Sequence, residues 1–145
     1  MTFGAGSPQP GLLRAHPLLV LGDDITTDHI SPAGAIPRAS DAGAWLIEHG
    51  ESPRDLNVYA SRRGNWEVML RGLFTNRAVT NHLCPDAPAG RTVFAPTGER
   101  LAVWRAARRY AGAGLPVVIL AGERYGTGSS RDWAAKGTNL LGVRA

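Results

Sequence analysis

The chain has 145 residues, of which 43% are hydrophobic and 19% are charged, and this composition predicts one modest hydrophobic core rather than two domains. The apolar run Leu18–Leu21 is far too short to cross a membrane, and residues 1–17 lack the continuous apolar stretch of a secretory leader. A single cysteine, Cys84, excludes an internal disulfide and favours a reducing cytoplasm, while the net charge of +4 is too small on its own to indicate a nucleic-acid partner.

Residues 1–16 are rich in Gly and Pro and are typical of a linker, so the folded part is predicted to begin at residue 17. From there the apolar pattern predicts an α/β layer of strands and helices. The predicted strands cover Pro17–Leu21, Leu56–Tyr59, Thr92–Ala95 and Pro116–Ala121. The predicted helices cover Ser40–His49, Asn65–Leu73, Leu101–Ala113 and Ser130–Leu141. Turn residues at 95–98 predict a hairpin or a strand-to-helix link.

The predicted helix at residues 101–113 is amphipathic. Its basic side carries Arg105, Arg108 and Arg109. Its apolar side carries Leu101, Trp104, Ala107 and Ala111. Because no aromatic side chains are interleaved with the arginines, the pattern predicts a solvated basic face in preference to an RNA-binding surface. The aromatic residues predicted to pack in the core or between helices are Trp66, Trp104 and Trp133.

The segment Gly122–Lys136 puts polar groups at the junction between a strand and a helix. The strand before it is short, β-branched and uninterrupted, so it is predicted to be buried on both faces, and the glycines that follow predict a tight loop. Ser129 can cap the next helix, whose first amides have no intrahelical partner and favour an anion. Arg131 adds a planar fork that matches a carboxylate. The segment therefore predicts a carboxylate or phosphate site, with an ordinary helix cap as the alternative.

Two familiar phosphate-binding motifs fit this segment badly. The dinucleotide fingerprint requires a third glycine where Arg131 stands. The phosphate-cradling P-loop requires Gly-Lys followed by Ser or Thr, which the segment lacks. A nucleotide site is therefore not predicted.

Two other segments share this small, polar character: Gly22–Gly34, which contains Thr-Thr-Asp-His-Ile-Ser-Pro, and Ser61–Asn76, which contains Met-Leu-Arg-Gly-Leu-Phe-Thr-Asn. Together with the Tyr-Gly-Thr-Gly-Ser-Ser-Arg-Asp-Trp sequence that begins at Tyr125, they resemble, in the same order, the C-terminal swivel domain of the aconitase superfamily. The resemblance implies a three-layer β/β/α fold over residues 17–145. Because the family's domain continues with a further strand and helix, it also implies that the chain is a fragment, incomplete at its C-terminus.

The resemblance implies roles for individual residues. Ser129 matches the family's catalytic base, while Ser130 and Arg131 match residues that bind a substrate carboxylate and stabilise developing negative charge. Arg71 matches a second arginine that binds a substrate carboxylate. The adjacent guanidinium, the helix N-terminal amides and the exclusion of water would all favour the alkoxide form of the Ser129 hydroxyl.

Asp28 and His29 raise the alternative of a Ser-His-Asp triad with Ser129, but adjacency in sequence does not establish the geometry that defines a triad. In the family this segment lines the domain face near the active site, so the resemblance implies a supporting or interdomain role for both residues. A strand end followed by a turn capped at Thr26 or Thr27 is the structural alternative.

The implied activity is that of an iron–sulfur hydro-lyase, which isomerises citrate and isocitrate through cis-aconitate. The family's four-iron cluster (4Fe-4S) is bound by three cysteines on other domains, and with Cys84 alone this chain cannot hold it. The implied partners are a tricarboxylic acid and the cluster-bearing domains, in the same polypeptide or in a separate subunit. The chain alone is therefore predicted to be inactive.

Three alternatives stay open. A 2-methylisocitrate dehydratase is one, because Asn65–Val68 and the region from Pro88 to Arg100 look similar to that branch. A separately encoded small subunit, as in isopropylmalate dehydratase, is another, although those chains carry shorter versions of the Ser61–Asn76 segment. From a different class, an RNA-binding regulator or an inert folded fragment would keep the fold without turnover.

Overall fold

A computed structural model describes residues 15–126 and 132–143, and it confirms the mixed α/β class. The strands are β1 (His16–Val20), β2 (Arg91–Phe94), β3 (Glu99–Ala102) and β4 (Val117–Leu120). The helices are α1 (Thr27–Ile30), α2 (Asp41–Glu48), α3 (Trp66–Gly72), α4 (Val103–Gly112) and α5 (Asp132–Leu140), and Tyr59–Arg62 forms a 3-10 turn. None of the helices in these two ranges combines the length and apolarity needed to span a bilayer.

Strands β1 and β4 pair in parallel, with His16 opposite Val117 and Val20 opposite Leu120. Their buried residues, Leu18 and Val117 among them, lie in the main hydrophobic core. Leu120 is 45% exposed, so the prediction that this strand is buried on both faces is wrong at its end. The reason is that β4 reaches the protein surface there, since residues 121–125 are all exposed.

Strands β2 and β3 form an antiparallel hairpin, with Phe94 opposite Glu99. The turn at residues 95–98 is therefore a hairpin turn, and Gly98 takes the left-handed backbone conformation that it needs, with φ 74°. The helical pattern predicts Leu101 in the next helix, but Leu101 lies in β3 opposite Thr92. Residues 99–102 pair with β2 although their apolar pattern has helical periodicity, so α4 begins only at Val103.

Side chains join the two sheets to each other. The buried Thr92 hydroxyl donates to the Leu18 carbonyl at 2.5 Å. The buried Asn81 amide accepts from the Val20 N–H at 3.0 Å and donates to the Arg91 carbonyl at 3.1 Å. Asn81 thus satisfies backbone groups of β1 and β2 at once and holds the parallel pair beside the hairpin.

Helices α2 and α3 begin at side-chain caps, as their predicted starts imply. The Ser40 hydroxyl accepts from the Gly43 N–H at 3.0 Å, and the Asn65 side chain accepts from the Val68 N–H at 3.3 Å. The two helices pack on each other in a second, smaller core.

The predicted strand at Leu56–Tyr59 is wrong. Val58 makes only an isolated bridge to Ala35, and Tyr59 begins the 3-10 turn. Leu56 and Tyr59 are both buried in the smaller core. Two buried residues that are three positions apart are typical of a helical turn with one buried side. A single bridge does not make a strand.

The tryptophans occupy different environments. Trp104 is 8% exposed and lies in the main core, as predicted. Trp66 is 49% exposed, so its predicted packing role is wrong. It is the first residue of α3, whose buried side is formed by Val68 and Met69. The side chain of Trp133 lies outside the described residues.

Candidate functional site

The candidate site begins where the two parallel strands end. Because β1 and β4 run in the same direction, their C-terminal ends meet at one edge of the sheet, and the loops that leave them become neighbours. Residues 22–26 and 122–126 are called the paired loops below. The first leads into α1, and the second leads to the predicted site residues Ser129, Ser130 and Arg131, which lie outside the described residues.

Backbone hydrogen bonds continue the strand pairing into the paired loops. Gly122 donates to the Gly22 carbonyl at 3.1 Å, and Asp24 donates to the Glu123 carbonyl at 2.8 Å. Gly126, the last residue of the second loop, donates to the first loop at 2.6 Å. The two loops are therefore held together along their whole length.

Gly122 is required by the close approach of the paired loops. A Cβ atom at this position would lie 1.9 Å from Oδ1 of Asp23. The same Asp23 oxygen accepts a hydrogen bond from the Glu123 amide at 2.8 Å. A side chain at position 122 would displace the carboxylate and separate the loops. Gly126 instead has a φ of 82°, as the predicted tight loop requires.

Asp24 and Arg124 form an ion pair across the paired loops. Arg124 donates through Nε to Oδ1 and through Nη2 to Oδ2, the second bond being 3.1 Å long. The hydrogen bonds from the guanidinium lower the pKa of Asp24, and the carboxylate raises the pKa of Arg124. Sequence reasoning missed this pair, although each residue is the fourth beyond the end of its strand, so parallel pairing alone aligns them.

Thr26 and His29 close the first loop with a reciprocal cap of α1. The Thr26 hydroxyl accepts from the His29 amide at 3.3 Å, and Nδ1 of His29 accepts from the Thr26 amide at 2.9 Å. Because Nδ1 is an acceptor, it does not donate to a carboxylate as a triad requires. The capped turn is confirmed, and the triad alternative is not supported. The Asp28 carboxylate is exposed and receives no hydrogen bond from residues 15–126 or 132–143.

Arg71 lies in the last turn of α3, with 11% of its side chain exposed. Its Nη1 donates to the Glu67 carbonyl at 2.9 Å and to the Glu67 carboxylate at 2.7 Å. The centre of the guanidinium lies 4.2 Å from the centroid of the Trp104 ring. Within the described part of the chain, neither Nε nor Nη2 takes part in a hydrogen bond, and no hydrogen bond joins Arg71 to the paired loops.

The end of α3 packs against the end of α1 and against α5. The Phe74 amide, just beyond α3, donates to the carbonyl of Ile30 at the end of α1 at 2.9 Å. A Cβ atom at Gly137 would lie 2.6 Å from the Leu73 side chain, so this glycine allows α5 to approach the end of α3 closely. The turn that carries Arg71 is therefore packed near the helix that follows the second loop.

The basic side of α4 is exposed, as predicted: Arg105, Arg108 and Arg109 all face solvent. Carboxylates partly neutralise it, because Arg108 pairs with Glu67 at 3.3 Å and Arg109 pairs with Glu99 at 2.5 Å. This arrangement fits the predicted solvated face.

Within the two described ranges, no group of three or more His, Cys, Asp or Glu side chains is arranged to hold a metal ion. Cys84 is buried, with its Sγ 3.6 Å from the Arg91 carbonyl and 3.9 Å from the Asn81 amide nitrogen. Burial raises the pKa of the Cys84 thiol. A protonated, enclosed thiol of this kind does not suit a cluster ligand.

Residues 42–145 match the family described as the aconitase C-terminal domain. The chain is 58% identical over 132 residues to aconitate hydratase A of Pseudomonas aeruginosa, a match that covers 91% of this chain and 14% of that protein. It is 55% identical over 131 residues to aconitate hydratase A of Thermus thermophilus, covering 90% of this chain and 14% of that protein. It is also 54% identical over 138 residues to phosphinomethylmalate isomerase of Streptomyces viridochromogenes, covering 95% of this chain and 15% of that protein. The chain thus spans 14% to 15% of the length of these relatives.

Proposed function

The chain belongs to the aconitase C-terminal domain family, and on that premise we propose that it is the substrate-binding and base-bearing domain of an iron–sulfur hydro-lyase. The proposed reaction is the isomerisation of citrate and isocitrate through cis-aconitate, in the cytoplasm. The activity requires a complete polypeptide or assembly that supplies the remaining domains. Similarity to two aconitate hydratases A over 90% to 91% of this chain supports the proposal.

The observation that carries the proposal is the convergence of the paired loops. In open α/β sheets, ligands bind at the carboxyl ends of the strands. Each of the paired loops belongs to one of the motifs that resemble the family, and backbone hydrogen bonds of 2.6 to 3.1 Å fix their spacing. This supports a site built from two motifs and weakens the alternative of an isolated helix cap.

Ser129 is the proposed catalytic base, which removes the proton next to a substrate carboxylate. The product of that step carries extra negative charge on the carboxylate, so cationic and N–H donors at this group lower the barrier. Ser130 and Arg131 are proposed to supply them, Arg131 through two parallel N–H bonds. Asp28 and His29 are proposed to support this edge of the site from α1.

Arg71 is proposed to bind a second substrate carboxylate. Glu67 engages only Nη1, so within the described contacts Nε and Nη2 remain for a bidentate partner. The Trp104 ring beneath the guanidinium restricts its rotation. Arg71 is therefore held in one orientation before any substrate arrives.

The resemblance implies a four-iron cluster in the whole enzyme. The residues of this chain do not fit that group, since Cys84 is the single cysteine and is buried. We propose that cysteines outside this chain bind the cluster.

A second substrate is a candidate. The chain is nearly as similar to a protein named phosphinomethylmalate isomerase, at 54% identity, as to the aconitate hydratases A at 55% and 58%. This similarity shows that related chains occur in enzymes named for different acids, and the resemblance of Asn65–Val68 and of the region from Pro88 to Arg100 to the 2-methylisocitrate dehydratase branch supports 2-methylisocitrate as the alternative substrate.

A complete polypeptide tests the proposal directly. Replacing the matching segment of the Pseudomonas aeruginosa aconitate hydratase A with this chain should give an enzyme that interconverts citrate, cis-aconitate and isocitrate. This chain alone should show no turnover with citrate, isocitrate or 2-methylisocitrate after anaerobic reconstitution with iron and sulfide. A folded, cluster-loaded chimera without activity, or turnover by the isolated chain, would contradict the proposal.

The role of Arg71 has a matched control in Arg108, which contacts the same carboxylate of Glu67. Arg71→Lys should raise KM roughly tenfold or more in the chimera, because a point charge cannot reproduce the fork. Arg108→Lys should leave KM unchanged. Equal KM values for the two variants would remove Arg71 from the substrate site.

A further inference from the structure

Both partners of the Asp24–Arg124 ion pair have left-handed backbone conformations, with φ values of 60° and 58°. This region is unfavourable for residues that carry a Cβ atom, and the local bond of Arg124, from Nη1 to the Glu123 carboxylate at 3.2 Å, joins two side chains and does not satisfy the backbone. Such conformations persist where the surrounding structure holds them, and they are concentrated at functional sites.

The pair also joins residues 100 positions apart in sequence. It lies beyond the last ladder pair of β1 and β4, beside the bond from the Asp24 amide to the Glu123 carbonyl. Two residues later, the Gly126 amide bonds to the first loop. The ion pair therefore closes the paired loops immediately before the chain leaves them.

We propose that Asp24 and Arg124 are positioning residues, which clasp the paired loops and so fix the point from which the proposed base segment, Ser129 to Arg131, departs. This inference rests on the proposed function for its catalytic consequence. The closure of the two loops by this ion pair is called the clasp below. It can be tested without measuring enzyme activity.

Asp86 and Arg100 provide the control for a generic surface ion pair. They too form two hydrogen bonds, of 3.0 and 3.1 Å, with both side chains exposed. They are only 14 positions apart, and neither has positive φ. Exposed pairs of this kind contribute little to stability, so an effect seen at Asp24 and not at Asp86 reports the clasp.

The first test is amide hydrogen exchange on this chain. Asp24→Asn keeps the size of the side chain and its tolerance of left-handed backbone while removing the charge. We expect exchange at Glu123 and Gly126 to accelerate at least about fivefold in Asp24→Asn and in Arg124→Gln. Asp86→Asn should leave these two amides unchanged. Equal protection of Glu123 and Gly126 in wild type and Asp24→Asn overturns the clasp, whatever the activity of the complete enzyme.

The second test is steady-state kinetics in the chimera. Each single variant should lower kcat by about tenfold with little change in KM, because a misplaced base segment slows the chemical step. The double variant should be no slower than either single one, since both remove the same interaction. Raising the salt concentration from about 0.1 M to about 1 M should lower wild-type kcat towards that of the variants and leave the variants unchanged.

The two proposals fail in different ways. An inactive wild-type chimera contradicts the proposed function, and the exchange experiment still decides the clasp. An active chimera in which the two substitutions have additive effects on kcat, or in which Asp86→Asn slows turnover equally, overturns the positioning role while the proposed function stands.

Discussion

The two sheets of this domain are closed at their ends in different ways. In the β2–β3 hairpin the chain itself makes the connection, through residues 95–98. The parallel β1–β4 pair has no such turn, because parallel strands require a long crossover, and its ends are joined by groups far apart in sequence.

Each sheet has an exposed Asp–Arg pair beside it, and the comparison shows that the same interaction has different consequences. Asp86–Arg100 joins the loop before β2 to β3, two segments that the ladder between β2 and β3 already holds close. Asp24–Arg124 closes the paired loops together with the backbone bonds beside it and the bond from the Glu123 amide to the Asp23 carboxylate. Backbone and side-chain bonds between residues far apart in sequence thus determine the geometry of the parallel end, which is where the candidate site lies.

The largest expected difference between the two ends is catalytic. In the chimera, Ser129→Ala should lower kcat roughly a thousandfold with little change in KM, because a base acts in the transition state. Thr97→Ala, in the hairpin turn, should leave kcat unchanged, since its hydroxyl only accepts a bond from the Glu99 amide. A near-normal kcat for Ser129→Ala would return that residue to the helix-cap interpretation.

Asn81 joins the two sheets, and its loss should destabilise both. Asn81→Ala leaves the Val20 and Leu83 amides and the Arg91 carbonyl without this partner in a partly buried setting, which should cost about 3 kcal/mol of unfolding free energy. Urea unfolding of this chain measures it. The exposed Asn57→Ala is the control, because that side chain donates only to the nearby Asp55 carbonyl. Equal stability of the two variants would mean that the sheets do not depend on this joint.

The glycines of the two ends should respond differently to an added methyl group. Gly122→Ala drives a Cβ atom into the Asp23 carboxylate and should cost about 2 kcal/mol. Gly98→Ala meets no atom within 4 Å and is opposed only by its positive φ, so it should cost about 1 kcal/mol. Adding Asp23→Gly should restore part of the stability that Gly122→Ala loses. It should restore none of the stability that Gly98→Ala loses. Without that recovery, the close approach of the loops is not what requires Gly122.

The sequence pattern predicted most elements correctly because their signals are local. The caps Ser40 and Asn65 and the apolar strand before Gly122 can be recognised without any tertiary contact. The strand Glu99–Ala102 was missed because its partner lies across a turn, and Trp66 was misassigned because helical periodicity does not reveal which side is covered. The Asp24–Arg124 pair depends on the register of two strands about a hundred residues apart, which no local pattern specifies.

Cys84 lies beside the start of the hairpin, with its Sγ 3.6 Å from the Arg91 carbonyl. The residue is 2% exposed, and burial raises the pKa of its thiol. A group whose folded pKa is raised favours the folded state fully below its unfolded pKa, and this contribution is lost as the pH rises through the folded pKa. The stabilisation from Cys84 should therefore be complete below about pH 8.5 and decline above it.

The smallest predicted effect follows from that titration. The free energy of unfolding of wild type minus that of Cys84→Ala should be constant from neutral pH up to about pH 8 and should become smaller at higher pH. The reason is that only wild type must keep a buried thiol protonated to remain folded. Urea unfolding of both chains at several pH values measures the difference, and subtracting the variant removes the shared alkaline titration of Tyr59, whose pKa burial also raises. Labelling by a thiol reagent at pH 8 should be at least about ten times slower in the folded than in the unfolded chain. A stability difference independent of pH, combined with rapid labelling, would show that the Cys84 thiol reaches solvent.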